Sequence, residues 1–287
     1  MKFNEAEEAK IDELYDWFRQ NPKLPKEIDR ILLKRFYICM HGDINGIKKL
    51  IQINYSLRNK NAHIFLERDP TDADSKQTFD YADLVPLPGL TSEGYKVSCY
   101  RLIDFDPAKV NHTADTKAFF MVSDCRFNMY DGGSESSENV ETFANGEVQI
   151  FDMNGYTLKH LSKMTFSTLR VYMTFLQEAL PVHLKAIHII NCPSYLDKVV
   201  SIMKPFISRE VYKLIIFHTS SLESLYEHVP RSILPEEYGG TGGKLAELKA
   251  QLLMELSRKR EYLMDPNNWR VGGEKENSQR RHWPFKS

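Results

Sequence analysis

The sequence has no cysteines at CxxC spacing, no HExxH helix and no Asp-rich calcium loop, so nothing in it supports a metal centre. It has no G-x-S-x-G elbow to expose a nucleophilic serine. It has no excess of either charge: 38 Lys and Arg stand against 39 Asp and Glu. No dense basic run occurs before the extreme C-terminus, which argues against DNA or RNA as a partner. No stretch approaches the roughly 18 apolar residues of a membrane span. The opening MKFNEAEEAKIDEL mixes both charges without an apolar h-region, unlike a secretory signal. The four cysteines, Cys39, Cys99, Cys125 and Cys192, are scattered among apolar neighbours, as buried reduced thiols are. These absences together lead us to expect a cytoplasmic protein that carries no metal and no cofactor.

What is present is helical periodicity followed by a mixed pattern. Ile11, Leu14, Tyr15 and Phe18 repeat at helical spacing, then Ile28, Ile31, Leu32 and Phe36, and then, after Asp43 as a helix cap, Ile47, Leu50, Ile51 and Tyr55. This pattern predicts a small all-helical domain over residues 1–68. Residues 69–94 are rich in Asp, Pro, Gly and Ser and read as a connector. From Tyr95 strands alternate with helices. A strand over Tyr95–Ile103 is followed by a helix opening at Asp106-Pro107, and the strand EVQIFD over 147–152 by a helix over Met164–Leu180. Further on come a strand over Tyr212–His218, a short helix over Ser220–Tyr226 and a long one over Lys244–Tyr262. The fold class is α/β, with a partly parallel sheet flanked by helices in a domain spanning 95–265. A tail over 266–287 lacks a core-forming pattern and reads as mobile.

Leu184–Ile207 is the densest stretch. Leu184–Ile190 is a short isoleucine-rich run suited to a strand buried on both faces, ended by Asn191, Cys192 and Pro193. Ser194 is placed to cap a helix running to about Lys204. On that helix Tyr195, Leu196, Val199, Val200, Ile202 and Met203 share an arc of roughly 160°, opposite Asp197, Lys198, Ser201 and Lys204. Such a face packs on its own sheet in most α/β proteins. Alternatively it closes over an internal apolar cavity, and periodicity leaves both readings open.

Candidates for chemistry are few. Asp152 ends a predicted strand, where α/β active sites often sit, but no base or nucleophile accompanies it, and a turn-capping carboxylate accounts for it better. GGTGGKL over Gly239–Leu245 lacks the spacing of a phosphate loop and reads as a turn requiring positive φ. His188 reads as a buried strand histidine with a structural hydrogen bond. The sequence offers no catalytic residue, and we expect no enzyme.

RFYICMHGDINGIKKLI, IFDMNGY, AIHIINCP, MKPF and ILPEEYGG occur here in an order and spacing that resemble the CRAL-TRIO family of lipid-binding proteins, over almost the whole length to about residue 265. The resemblance implies a helical N-terminal domain before a CRAL-TRIO domain with one deep apolar pocket. Carried onto this sequence, the walls are Phe151, Met164, Tyr172, Phe175, Leu176, Leu180, Leu184 and Ile187. A movable amphipathic gate presents Leu196, Val199, Val200, Met203 and Ile207. The implied ligand is a small hydrophobic molecule, such as a retinoid, tocopherol, carotenoid or other terpenoid, taken up and released at a membrane surface by a monomer. Members that exchange phosphoinositides carry a Lys/Arg cluster beside the gate. Here the headgroup or membrane candidates are His183, Lys185, Arg209 and Lys213, interrupted by Glu210 and Leu214. Gly132-Gly133 and SESSEN break a segment that in relatives continues as a pocket-lining helix. A rival expectation on the same fold is a non-transporting membrane or protein adaptor.

Overall fold

Asn4 accepts a hydrogen bond from the Glu7 amide at 3.0 Å while the Glu7 carboxylate takes the Asn4 amide at 2.9 Å, a reciprocal cap that starts helix α1 (Glu5–Gln20). Asp29 and Asp43 cap α2 (Arg30–Cys39) and α3 (Ile44–Lys60) from one side only, each accepting from the backbone of the first turn. The computed structural model describes residues 3–131 and 141–272. The three helices bury Ile11, Leu14, Phe18, Leu32, Phe36, Ile47, Ile51 and Tyr55 in one core, as the helical periodicity predicts. That core does not close on itself. Phe127 and Trp269, from far along the chain, complete it.

The short helix α4 (Ala62–Phe65) follows, and then the segment 69–94 departs from the connector expected of it. Asp72 caps a helix, α5 (Ala73–Tyr81), by accepting from the Ser75 amide at 2.7 Å, and strand β1 (Ala82–Pro86) runs straight on from it. Of the Asp and Ser residues that resembled loop composition, Asp72 is a helix cap, Asp74, Ser75 and Asp80 lie within α5 and Asp83 within β1, and Phe79, Tyr81, Leu84 and Val85 are buried.

Strand β2 (Tyr95–Leu102) pairs antiparallel with β1. Asp106 and Pro107 make a turn, with Asp106 accepting from the Ala108 amide at 2.9 Å. Helix α6 (His112–Phe127) therefore starts later than expected, capped by Asn111. Then come β3 (Gly146–Asp152), α7 (Leu158–Leu161), α8 (Phe166–Glu178), β4 (Leu184–Ile190), α9 (Leu196–Met203), a single turn over Lys204–Phe206 and α10 (Arg209–Tyr212). Ser194 is exposed and does not cap α9; Tyr195 occupies that position without a side-chain cap. The expected strand over 212–218 shrinks to β5 (Ile215–Phe217), because its first residues finish α10. After α11 (Glu223–Tyr226), the long C-terminal helix divides at Lys259 into α12 (Leu245–Arg258) and α13 (Arg260–Met264). The tail expected from 266 begins as a helix, α14 (Pro266–Trp269), with Trp269 buried. Gly132-Gly133 and the SESSEN break lie outside the described residues.

The sheet order is β1-β2-β3-β4-β5, antiparallel at β1–β2 and parallel thereafter. Because every parallel step moves the same way across the sheet, right-handed crossovers put α6, α8 and α9 on one face. The other face is covered by the chain after β5. There Val97, Cys99, Val148, Ile150 and Ile190 pack on Leu225, Val229, Leu234, Tyr238 and Leu245. The glycine-rich turn before α12 is a turn, with Gly239 at φ 68° and Gly243 at φ 91°. On this packed face His188 Nδ1 lies 2.9 Å from His218 Nε2, the structural hydrogen bond expected of a strand histidine, and His218 Nδ1 lies 2.7 Å from Ser224 Oγ.

Polar groups fasten the helical region to the sheet domain. Asp124 on α6 accepts Arg58 Nη1 and Nη2, each at 2.7 Å, and also pairs with Arg68, and all three side chains are buried. Arg58 lies over the rings of Phe65, Phe175 and Trp269, and Arg68 over Trp269. Asn54 donates to the Ala179 carbonyl at 2.8 Å, and Arg35 binds Asp131 at 2.8 Å.

Replacing Asp124 by Ala leaves two guanidinium groups buried and uncompensated. Urea unfolding should show a loss of about 3–5 kcal/mol, and a loss near zero would remove this carboxylate from its structural role. A second prediction concerns pH. Burial, reinforced by His218 and His228, holds His188 down to about 4, below the roughly 6.5 of an unfolded histidine. The neutral ring is therefore favoured by folding. Its contribution is complete above about pH 6.5 and is lost as pH falls toward 4, by an amount of order 3 kcal/mol. The thermal midpoint should fall across that window, and His188→Gln should flatten the fall.

Candidate functional site

The unpacked side of the sheet is built from two in-register rows. Pro86, Ser98, Gln149, Ile187 and Ile215 are successive partners across all five strands, and so are Leu84, Tyr100, Phe151, Ile189 and Phe217. Strand alternation sends both rows to the face carrying α6, α8 and α9. On the opposite face buried residues meet a filled core. Here Phe151, Ile187, Ile189, Ile215 and Phe217 remain half-buried although all are apolar. Leu184–Ile190 has the bounds expected of it, but it is covered on one face only: His188 and Ile190 are buried and their neighbours are not.

The walls come from α6 and α8. Phe119 meets Tyr172 edge-on at 5.1 Å between ring centroids, and Tyr100 lies 5.8 Å from Phe151. Of the wall residues expected from the sequence, Phe151, Met164, Tyr172, Leu176, Leu180, Leu184 and Ile187 are half-buried. Phe175 is placed elsewhere. It is 1% exposed and packs between Phe65 and Phe120, at 4.6 and 4.9 Å, in the core that joins α8 to the helical region. One position along a helix turns a side chain by 100°, which separates Phe175 from Leu176.

Helix α9 covers the open end. It has no buried residue at all, although Leu196, Val199, Val200, Ile202 and Met203 make it strongly amphipathic; all five, with Ile207 beyond, are half-buried. A helix held by so little buried apolar contact belongs to the low-stability part of a fold. Polar latches hold it at both ends. At its start the Tyr195 hydroxyl donates to the Tyr156 carbonyl, and the Tyr156 hydroxyl donates to that of Tyr100 at 2.9 Å. At its end the Gln177 side chain donates to the Phe206 carbonyl at 3.1 Å and accepts from the Ser208 amide at 2.7 Å. Just outside this latch Phe166, 61% exposed, stacks on Phe206 at 5.9 Å.

The four basic candidates divide into two groups. Lys185 lies over the Tyr95 ring at 5.6 Å and near His183, whereas Arg209 opens α10 and Lys213 caps its end, both exposed. The His183 ring stacks on His41 of the helical region at 5.5 Å, and its Nε2 is buried without a partner. Burial first, then Lys185 and His41, lowers its pKa. Asp152 is fully engaged by the Tyr238 hydroxyl at 3.0 Å, the Asn191 amide group at 2.8 Å and the Asn154 backbone amide at 2.8 Å, a joint between strand ends. No cluster of metal-ligating side chains occurs among the described residues. Sequence reasoning missed Ile189, Phe217, Tyr100 and Gln177. Two-residue alternation from Ile187 would have found the first; Gln177 lay on a face that periodicity assigns to solvent.

Comparison with known proteins adds an independent line. Residues 82–240 match the family model of the CRAL/TRIO domain, and residues 3–75 that of a Pinta-like UBA domain. Alpha-tocopherol transfer protein-like of Homo sapiens is 28% identical over 236 residues, 82% of this chain and 66% of that protein. Clavesin-2 of Homo sapiens is 27% identical over 192 residues, 67% of this chain and 56% of that protein. The matches thus span about two thirds or less of the length of these curated relatives. The crystal structure of Sfh5 superposes with a TM-score of 0.50 at 14% identity, covering 91% of this chain and 99% of that one, a likeness of fold.

Gln177→Ala should release the end of α9 without unfolding the domain. Hydrogen exchange of the amides over 203–208 should quicken about tenfold, while global stability drops by only about 1–2 kcal/mol for the two hydrogen bonds lost. Unchanged exchange there would mean that Gln177 is no latch.

Proposed function

The chain belongs to the CRAL/TRIO family, and on that premise we propose that it binds one small hydrophobic molecule and carries it to or from membranes. The reading rests above all on the mismatch between α9 and its position: a helix with a wide apolar face, no side chain fully buried, lying at the open end of a cleft floored by half-buried Ile187, Ile189, Ile215 and Phe217. A retinoid, tocopherol, carotenoid or other terpenoid supplies the apolar surface that this arrangement lacks. At about 25 cal/mol per Å² of apolar area, covering both α9 and the floor is worth several kcal/mol, which the hydrocarbon body of the ligand contributes when the gate is closed.

Opening needs a second apolar surface to receive the same side chains. A membrane provides it, and exposed Phe166 stacked on Phe206 beside the Gln177 latch gives the lipid surface a first point of contact. Lys204, Arg209 and Lys213 are exposed along the same segment and suit an anionic surface, so the protein works at the membrane periphery. No helix among the described residues is long and apolar enough to cross a membrane.

Val199→Asp and Met203→Asp test the reading. After incubation with a terpenoid panel, native mass spectrometry and solvent extraction should find ligand on the wild-type chain and at least about tenfold less on either variant. The thermal midpoint should move little, since α9 buries nothing in the fold's own core. A wild-type chain that retains none of the panel sinks the proposal.

A further inference from the structure

The charges at the joint between the helical region and the sheet domain do not balance. Arg58 and Arg68 both pair with Asp124, and the three side chains are at most 1% exposed. The carboxylates beside Arg68 in the chain are committed elsewhere. Asp69 takes Arg260 Nε at 2.9 Å and Nη2 at 2.5 Å, and Glu67 meets Arg270 at 3.3 Å on the surface. Asp29, near the same joint, accepts the Ile31 and Leu32 amides as the cap of α2. One positive charge in the interior is left without a counter-ion.

The unpaired donors sit on the same group. Arg58 uses every nitrogen: Nε donates to Asn54 at 2.8 Å, and Nη1 and Nη2 donate to Asp124. Arg68 uses Nη1 alone, toward Asp124 and the Phe120 carbonyl, and its Nε and Nη2 are buried without a partner. Those two nitrogens share one edge of the guanidinium plane, the edge with which Arg260 grips the Asp69 carboxylate. Trp269 covers the face of the plane, 4.7 Å away, and leaves the edge as the place for an acceptor. We propose that this edge of Arg68 binds a single-atom anion, chloride in an ordinary salt solution, which completes the neutralisation of Arg58, Asp124 and Arg68. A carboxylate or phosphate would bring further atoms behind the oxygen that docks, and a side chain with no exposed surface has no opening for them. A water molecule would accept from both N–H groups but would leave the charge in place. Chloride answers both needs, and the low dielectric of the interior strengthens its attraction to the two guanidinium groups. Burial, opposed by Asp124 and reinforced by Arg58, lowers the pKa of Arg68, the direction expected of a cation with too few anionic partners. Arg68 lies between α4 and α5 and against α6, so the ion acts on the joint that fixes α6 and stands apart from the cleft.

Two measurements on the full chain test the site. In crystals soaked in sodium bromide, anomalous scattering at the bromine edge should give a peak within hydrogen-bond distance of Arg68 Nε and Nη2. In solution, chloride is exchanged for gluconate, an anion too large to enter, at constant ionic strength. Above the dissociation constant, each tenfold rise in chloride should lower the urea unfolding equilibrium constant about tenfold. Arg68→Met removes the edge together with the extra charge and leaves Asp124 paired one to one with Arg58, so this variant should fold and should lose the chloride dependence. Arg68→Lys keeps the charge without the edge, and it should lose most of the dependence as well; circular dichroism reports whether each variant is folded. Density of an ordered water without a bromide peak overturns the proposal. A bromide peak with no chloride dependence in solution means an adventitious ion only and overturns it too, as does a dependence equal in the wild-type chain and in the folded variants.

Discussion

A single carboxylate ties four distant parts of this chain together. Asp124 sits in the last turn of α6 and receives Arg58 from the third N-terminal helix and Arg68 from the segment leading into α5; Trp269, from the last described helix, lies over both guanidinium groups. Two cations and one anion, all buried, are a costly combination, because each ion loses its hydration. The arrangement survives through the two bidentate bonds from Arg58, its further bond to Asn54 and the flanking aromatic faces. Its consequence is architectural. The helical region cannot shift on the sheet domain without exposing or unpairing one of these charges, so α6, which forms one wall of the cleft, has a fixed position.

With that wall fixed, the sheet topology determines where the molecule is filled and where it is open. Parallel strands added in one direction force every crossover onto one face, and the returning C-terminal chain seals the other with Leu225, Val229, Leu234 and Tyr238. The crossovers are unequal. The first and second contain full-length helices, α6 and α8, that pack on the sheet and on each other through Phe120 and Phe175. The third, α9, is eight residues long and buries none of them. Opening on that side is thus a property of the fold itself, and hydrogen bonds from Tyr195 and Gln177, rather than buried area, keep α9 in place.

What the sequence made legible followed periodicity. The bundle core from Ile11 to Tyr55, the bounds of Leu184–Ile190, the amphipathic arc of α9 and the structural character of His188 and Asp152 all rest on spacing or on local capping chemistry, which neighbouring residues decide. The misses have one cause, contacts made at long range. The stretch 69–94 looked like a connector because Asp72 caps a helix whose apolar side is covered only by distant residues such as Leu252 and Leu256. Trp269 fell within the stretch read as a tail because, Tyr262 apart, its partners Arg58, Asn59 and Arg68 are some 200 positions earlier in the chain. Phe175 looked like cleft wall because its spacing fits that face as well as the one it occupies. The motifs suggested the family, and the domain match from residue 82 places its beginning at β1, within the stretch first read as a connector.

The two ends of the cleft set opposite requirements, and together they account for its construction. At the α9 end the chain presents half-buried apolar side chains on a helix with no buried residue. At the α6 end the walls are rigid, held by the Arg126, Glu147, Asp131 and Arg35 network. A polar group admitted there must match fixed donors and acceptors, or leave them unpaired at a cost of about 1–3 kcal/mol. The α6 end is thus the more firmly held of the two, and the α9 end the less stable. The element held by buried ion pairs and the element held by hydrogen bonds alone therefore lie toward opposite sides of the sheet, with the row from Ser98 and Gln149 to Ile187 and Ile215 between them.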